Sequence, residues 1–337
     1  LVLVLGETVG LKELASTSPY LAASRCSHFP WRLSLRGGEE IKLSKTMEVL
    51  WDRANAARML QENMHNGGSE DAKKLKHLVD EIKDYLKSTS ALLRHEVCYA
   101  LGQTGSSDAV PTLSRILQDR TEEAIVRHEA AEALAAIGDE ECQPLLVEML
   151  HDPCPEVADT CTIAIDRMKW QREKKGEVLL QNSEFVSVDP APAFEKKETQ
   201  PERQFAWISQ AYLDKTKSLF DRYRALFSLR NIGGHDAVKV ICQGLKDPNA
   251  LFRHEVAFVL GQMSDPEALH DLQSVLEDTN ENSMVRHEAA EAIGGMGLVE
   301  CRDLLERFLK DSNPIVSQSC EVALDMTAYW KDFKEAR

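Results

Sequence analysis

In DAVPTLSRILQD (108–119) the apolar residues recur at helical spacing and give way to a polar turn. The next stretch, EEAIVRHEAAEALAAIG (122–138), starts on two acids, carries its own apolar stripe and closes on Gly138. Acids suit the positive end of a helix, and a glycine just past the last turn is a common C-cap, so both stretches predict helices. No stretch shows the apolar–polar alternation of a strand. The two-helix pattern returns along the chain. ALLRHEVCYALGQ (91–103) matches ALFRHEVAFVLGQ (250–262) at nine of thirteen positions, and VRHEAAEALAAIG (126–138) matches VRHEAAEAIGGMG (285–297) equally well. His95 to His128 and His254 to His287 each span 33 residues, while His95 to His254 and His128 to His287 each span 159. A short period is nested in a duplication.

Helix pairs at such a period bury their apolar faces only by stacking on their neighbours, which makes an α-solenoid. The pattern VRxxAAxALG on the second helix resembles HEAT-like repeats. The predicted fold is therefore all-α, a solenoid of HEAT-like helical hairpins in two four-repeat arms joined by a long linker. Second helices are predicted near 55–66, 92–104, 124–137 and 156–169, then near 221–232, 251–263, 284–296 and 315–328. The segment 173–203 has three Pro, mixed charge and no helical stripe, and reads as the linker. The predicted organisation is an N-terminal extension (1–50), one arm (51–172), the linker (173–203) and a second arm (204–337). Within the extension, residues 15–38 hold three Arg, several Ser and no acid, as an organelle-targeting segment does. Without such targeting the chain is expected in the cytoplasm, as a monomer.

Charge and cysteine usage narrow the chemistry. With 55 acids against 40 bases the formal net charge is −15, which argues against nucleic acid or an anionic membrane surface and favours a basic partner. No purely apolar run is longer than the opening LVLVL, which is far too short to span a bilayer. The eight cysteines are scattered, with no CxxC, which suits a reducing compartment better than a disulfide framework or a zinc ribbon.

The repeats also supply an internal control. The same slot of the second helix holds His95-Glu96, His128-Glu129, His254-Glu255 and His287-Glu288 in the middle repeats of each arm. In the outer repeats it holds Asp159-Thr160, Gln318-Ser319, Tyr223-Arg224 and, in the degraded first repeat, Ala57-Arg58. The scaffold does without His-Glu, so the pairs point to chemistry. Val126, Ala130, Ala133 and Leu134 stay apolar in the neighbouring repeats and read as core. Neighbouring solenoid helices lie about 8–10 Å apart, so matching imidazoles such as His95 and His128 can converge on one ion, and His254 and His287 on a second. Imidazole with carboxylate suits non-haem iron or manganese, and ferritin-like proteins use a comparable set on another helical scaffold. There is no HExxH, which disfavours zincin-type peptidase chemistry. Arg94, Arg127, Arg253 and Arg286 precede the pairs; since Arg222 fills that slot in a repeat without His-Glu, they read as repeat structure. Glu132 and Glu291, one turn beyond His128 and His287, are further candidates for ligation.

Two arms of HEAT-like repeats, a long linker and four His-Glu pairs together resemble the deoxyhypusine hydroxylase family, over residues 50–335. RHEVAFVLGQM (253–263) and MVRHEAAEAIG (284–294) lie close to that family's motifs. The resemblance implies a monooxygenase whose non-haem di-iron centre, two Fe ions, activates O2. Its substrate would be the deoxyhypusine side chain of translation initiation factor 5A, converted to hypusine. It also implies iron ligation by His95, His128, His254 and His287 with Glu96 and Glu255, and leaves Glu129 and Glu288 to face the substrate amines. Ligands from both arms further imply that the metals tie the arms together. The departure is in the first repeat, where AARMLQENMHNGG (56–68) is a degraded counterpart of DRYRALFSLRNIGG (221–234). Two alternatives stay open at this point: a HEAT-repeat adaptor without metal, and a HEAT-like bilin lyase.

Overall fold

The computed structural model describes residues 43–63, 69–174, 185, 187–195 and 200–335, and every regular element among them is helical. The N-terminal residues through 42, with the 15–38 segment, and residues 64–68, 175–184, 186, 196–199 and 336–337 lie outside the described residues.

In the first arm the helices are α1 (Leu43–Asn63), α2 (Ser69–Asp84), α3 (Ala91–Thr104), α4 (Val110–Gln118), α5 (Ala124–Ile137), α6 (Gln143–Glu148) and α7 (Pro155–Glu173). The second arm has α8 (Pro201–Leu213), α9 (Leu219–Ile232), α10 (Gly234–Cys242), α11 (Ala250–Met263), α12 (Leu269–Glu277), α13 (Ser283–Gly295), α14 (Arg302–Phe308) and α15 (Pro314–Glu335). The odd helices α1, α3, α5 and α7 stack as one inner row and α9, α11, α13 and α15 as another, with the remaining helices outside them. This is an α-solenoid of helical hairpins. The first inner helix begins at Leu43 rather than in the middle fifties, because residues ahead of the degraded motif already carry the buried stripe Met47, Leu50, Ala54 and Ala57.

Local chemistry explains the helix ends. Ser90 and Asn249, equivalent under the 159-residue shift, cap α3 and α11 by accepting from the Leu93 and Phe252 amides at 3.1 and 2.9 Å. Gly138 ends α5 at φ 73°, the left-handed conformation that glycine adopts without a Cβ penalty. Val126, Ala130, Ala133 and Leu134 are all buried. Small residues let the inner helices approach: a Cβ on Gly102 of α3 would lie 2.8 Å from the Ala133 Cα of α5.

The two rows close on each other at both ends. Helix α7 packs against α9 and α11, and α15 packs against α1 and α3. Asn249 donates to Asp159 at 2.6 Å across one seam, and Ser90 donates to Gln318 at 2.8 Å across the other. Each member of one pair is 159 residues from its counterpart in the other, so the seams are related by the same duplication as the helices.

The inter-arm segment is not helical where it is described, yet it is not a free tether either. Asp189 to Pro192 are buried, and residues 187–195 form a strap across the ends of α3 and α11. Gln103 accepts from the Val188 amide at 2.9 Å, and its counterpart Gln262 donates to Ser187 Oγ at 3.3 Å. The Asp189 carboxylate takes two hydrogen bonds from Arg230, at 2.9 and 2.6 Å, and its carbonyl accepts from Arg167.

Candidate metal centre

Helices α3 and α5 of one row face α11 and α13 of the other, and each brings its His-Glu pair to the shared cleft. The four imidazoles form a closed quadrilateral. Centroid separations are 5.7 Å for His95–His128, 5.2 Å for His128–His254, 5.5 Å for His254–His287 and 5.3 Å for His287–His95. Each ring is thus as close to a ring of the opposite arm as to one of its own. The expected division into two same-arm pairs is not visible in the ring positions.

All four rings are buried, with His128 and His287 fully so. Six of their nitrogens have no hydrogen-bond partner among the described residues: His95 Nε2, both nitrogens of His128, both of His254, and His287 Nε2. Buried polar atoms are normally paired, and leaving one unpaired costs about 1–3 kcal/mol. A cluster of orphaned imidazole nitrogens facing one space is what a metal-ligand set requires, since each metal bond uses a bare nitrogen lone pair. The residues present fit such a group.

The carboxylates surround the rings. Glu129 Oε2 lies 3.3 Å from His95 Nε2 and 4.0 Å from His128 Nε2, both within ion-pair range and neither aligned as a hydrogen bond. Symmetrically, Glu288 Oε2 lies 3.5 Å from His254 Nε2 and 3.4 Å from His287 Nε2. Glu96 approaches His95 Nδ1 at 3.2 Å. Three groups bring their ligand atoms within 4.8 Å of one another: His95 with His254 and His287, His95 with His128 and Glu129, and His287 with Glu288 and Glu291. Glu255 joins none of these groups among the described residues.

Burial governs the electrostatics. It drives the pKa of His128 and His254 well below the ordinary histidine value, helped by the neighbouring imidazoles, and brings His287 down to about 3. His95 goes the other way: burial opposes its charge, but Glu129 and Glu96 outweigh it and raise its pKa well above the usual value. Burial, reinforced by Glu291, pushes Glu288 well above the carboxylate range, and burial with Glu132 does the same to Glu255. Three neutral imidazoles beside acids that resist ionisation suit a site awaiting positive charge, because a bound cation reverses this logic.

The arginines before the pairs do not touch the paired glutamates among the bonds described. Arg94 donates to Glu122 at 2.8 and 2.6 Å and Arg253 to Glu281 at 2.8 and 2.5 Å. Arg127 and Arg286 reach Asp152 and Asp311, the latter at 3.3 and 2.6 Å. They bind turns of the solenoid, as the repeat pattern predicts. Sequence reasoning missed Ser319, whose hydroxyl lies 3.4 Å from His287 Nδ1 and donates to Glu291 at 3.2 Å. Its signal was available, since Ser319 follows Gln318 in the slot that aligns with His-Glu.

The fold and the site define a HEAT-type α-solenoid with a buried imidazole–carboxylate donor set at the junction of its two arms. The family described as HEAT repeats matches residues 75–166, 212–281 and 238–325. Deoxyhypusine hydroxylase of Drosophila pseudoobscura pseudoobscura is 46% identical over 254 residues, covering 75% of this chain and 82% of the relative. The Rattus norvegicus deoxyhypusine hydroxylase is 43% identical over 252 residues, 74% of this chain and 81% of its own. The structure of human deoxyhypusine hydroxylase in complex with glycerol matches with a TM-score of 0.70 at 37% identity, over 82% of this chain and 97% of that one. The chain belongs to the deoxyhypusine hydroxylase family.

Proposed function

We propose that this protein, an oxygen-using monooxygenase of the deoxyhypusine hydroxylase family, hydroxylates deoxyhypusine on translation initiation factor 5A through a non-haem di-iron centre between its arms. The observation that carries the metal reading is the set of six unpartnered nitrogens on four clustered imidazoles. When bound, the two irons supply O2 activation. The four histidines would hold them. For the carboxylates two assignments compete, each on its own ground. The family resemblance gives Glu96 and Glu255 to the metal and Glu129 and Glu288 to the substrate. The geometry favours Glu129 and Glu288 as ligands, because they approach the imidazole Nε2 atoms at 3.3–3.5 Å.

The protein's own part is to bind, orient and exclude water. Burial of all four rings keeps bulk water from the centre, and the surrounding acids favour the cationic amines of the substrate side chain. We further propose that the chain acts as a monomer in the cytoplasm; sizing of the purified protein and imaging of a tagged full-length chain test this.

The decisive experiment is metal analysis of the purified protein beside His128→Ala and His287→Ala, with mass spectrometry of the substrate protein for the gain of one oxygen atom. Loss of iron and of the mass gain together is expected. Full iron in both variants sinks the two-arm site. Iron content of the Glu96→Ala/Glu255→Ala double variant, set against Glu129→Ala/Glu288→Ala, decides between the carboxylate assignments.

A further inference from the structure

Glu132 lies one helical turn beyond His128 on α5, and the 159-residue shift pairs it with Glu291 on α13. The two are treated differently. Glu291 accepts from Ser319 Oγ at 3.2 Å and lies 3.6 Å from His287 Nδ1. Glu132 makes no hydrogen bond or ion pair among the described residues. The Arg167 guanidinium acts on it electrostatically but donates to the carbonyls of Ala135, at 3.2 Å, and Asp189.

Glu132 lines a narrow cavity together with Ala135, Thr160, Pro190, Tyr223 and Leu251. The other polar walls are already engaged, since Thr160 donates to the Glu156 carbonyl at 2.8 Å and Tyr223 to the Leu251 carbonyl at 3.1 Å. The cavity measures about 10 Å³, room for one water-sized group. Glu255, only 3% exposed, is likewise without a hydrogen bond or ion pair among the described residues, and after burial it is the Glu132 charge that acts on it most. The two carboxylates repel each other electrostatically, with Arg167 acting on Glu132 and Arg230 on Glu255 in opposition, and a further cation beside the half-buried Glu132 would offset that repulsion. A primary ammonium is close to water in size, so the cavity admits the head group of an alkylamine while its stem stays outside.

We infer that Glu132 is a substrate-positioning residue that receives an ammonium of the substrate side chain in this cavity, a role its tethered counterpart Glu291 does not share. This rests on the substrate class proposed above. It breaks the twofold equivalence of the arms, as recognition of an unsymmetrical side chain requires: the chain enters from the Glu132 side, and the strap, through Pro190, forms part of its wall.

The test uses the iron-loaded full chain with Glu132→Gln and Glu132→Asp. KM and kcat are measured on the deoxyhypusine-bearing protein, iron content by metal analysis, and the affinity for diaminobutane by titration calorimetry. Glu132 is half-buried, so removing its charge should weaken binding by about 10-fold, and Glu132→Gln should raise both KM and the diamine Kd by that factor. Iron content should stay at the wild-type level, and Glu132→Asp, which keeps the charge, should recover part of the loss. An unchanged KM and diamine affinity in Glu132→Gln overturns the inference. So does iron loss matching that of His128→Ala, which would make Glu132 a ligand. If Glu132→Gln fails to fold, Glu132→Ala, which also removes the charge, decides by the same criteria. Should the wild type not modify its protein substrate yet bind diaminobutane through Glu132, the substrate reading fails and the cation site stands.

Discussion

Replacing His128 by leucine should stabilise the metal-free protein and weaken the metal-loaded one. His128 is fully buried and its neutral imidazole offers one donor and one acceptor, neither of them partnered among the described residues. Two unmade hydrogen bonds at about 1–3 kcal/mol each put about 2–6 kcal/mol of unfavourable free energy at this residue. Leucine is of similar bulk but different shape, and such swaps cost up to about 1.5 kcal/mol. The metal-free His128→Leu protein should therefore be more stable than metal-free wild type by about 0.5–4.5 kcal/mol. Metal reverses the order. A ligand at a thousandfold excess over its Kd stabilises the folded state by about 4 kcal/mol, and the variant forfeits most of this. The assay is equilibrium urea unfolding of both proteins, chelator-treated and iron-loaded. A metal-free variant less stable than wild type by more than about 1 kcal/mol, as for an ordinary core substitution, would refute the idea that these nitrogens are kept bare for a ligand.

Other outcomes follow from the packing. A Cβ on Gly294 would meet the Ala323 Cα and Cβ at 2.5 Å, so Gly294→Ala should force α13 from α15 and cost about 1–3 kcal/mol in thermal unfolding. Asp189→Asn leaves Arg230, itself 2% exposed, without its buried carboxylate and should cost about 3–5 kcal/mol; unfolding indistinguishable from wild type would mean that the strap does not hold the arms. Ligands drawn from both arms imply that the metals tie the arms together, beside the seam contacts of α7 with α9 and α11 and of α15 with α1 and α3. Small-angle scattering should accordingly show larger dimensions after iron removal; identical dimensions before and after would count against this coupling.

Much of this architecture was legible because a repeat carries its own comparison. The inner helices α3, α5, α11 and α13 lie within a residue or two of their predicted bounds, since apolar spacing and caps both act locally. The His-Glu slot stood out against outer repeats that lack it. What the sequence hid depends on contacts between arms, which no period within an arm records. The strap shows this best: SVDPAP (187–192) has neither helical nor strand spacing, yet Asp189 is buried because Arg167 and Arg230 both bond to it. Only the presence of buried arginines on facing helices, invisible before folding, calls for that acid. The mutual placement of the four rings was equally hidden, for stacking predicts neighbours along one row but not across two.

The outer repeats alter the meaning of the internal control. The slot that holds His-Glu in the middle repeats is not idle at the ends. Asp159 uses it to accept from the α11 cap residue Asn249, and Gln318 uses it to accept from the α3 cap residue Ser90. Where it holds His-Glu, Asp159 or Gln318, this position on the inner helix face points into the junction between arms, so its chemistry depends on what stands opposite. Where two slots face each other at the centre, imidazoles collect and their nitrogens go unpaired. Where a slot faces a helix N-terminus at a seam, a polar side chain bonds the capping residue and fixes the distance between rows. Helices α3 and α11, which carry His95 and His254, are thus held by their own caps to the opposite arm. Placing the donors and closing the cleft are consequences of one face of one repeated helix, and the absence of His-Glu from the outer repeats is what allows that face to serve both.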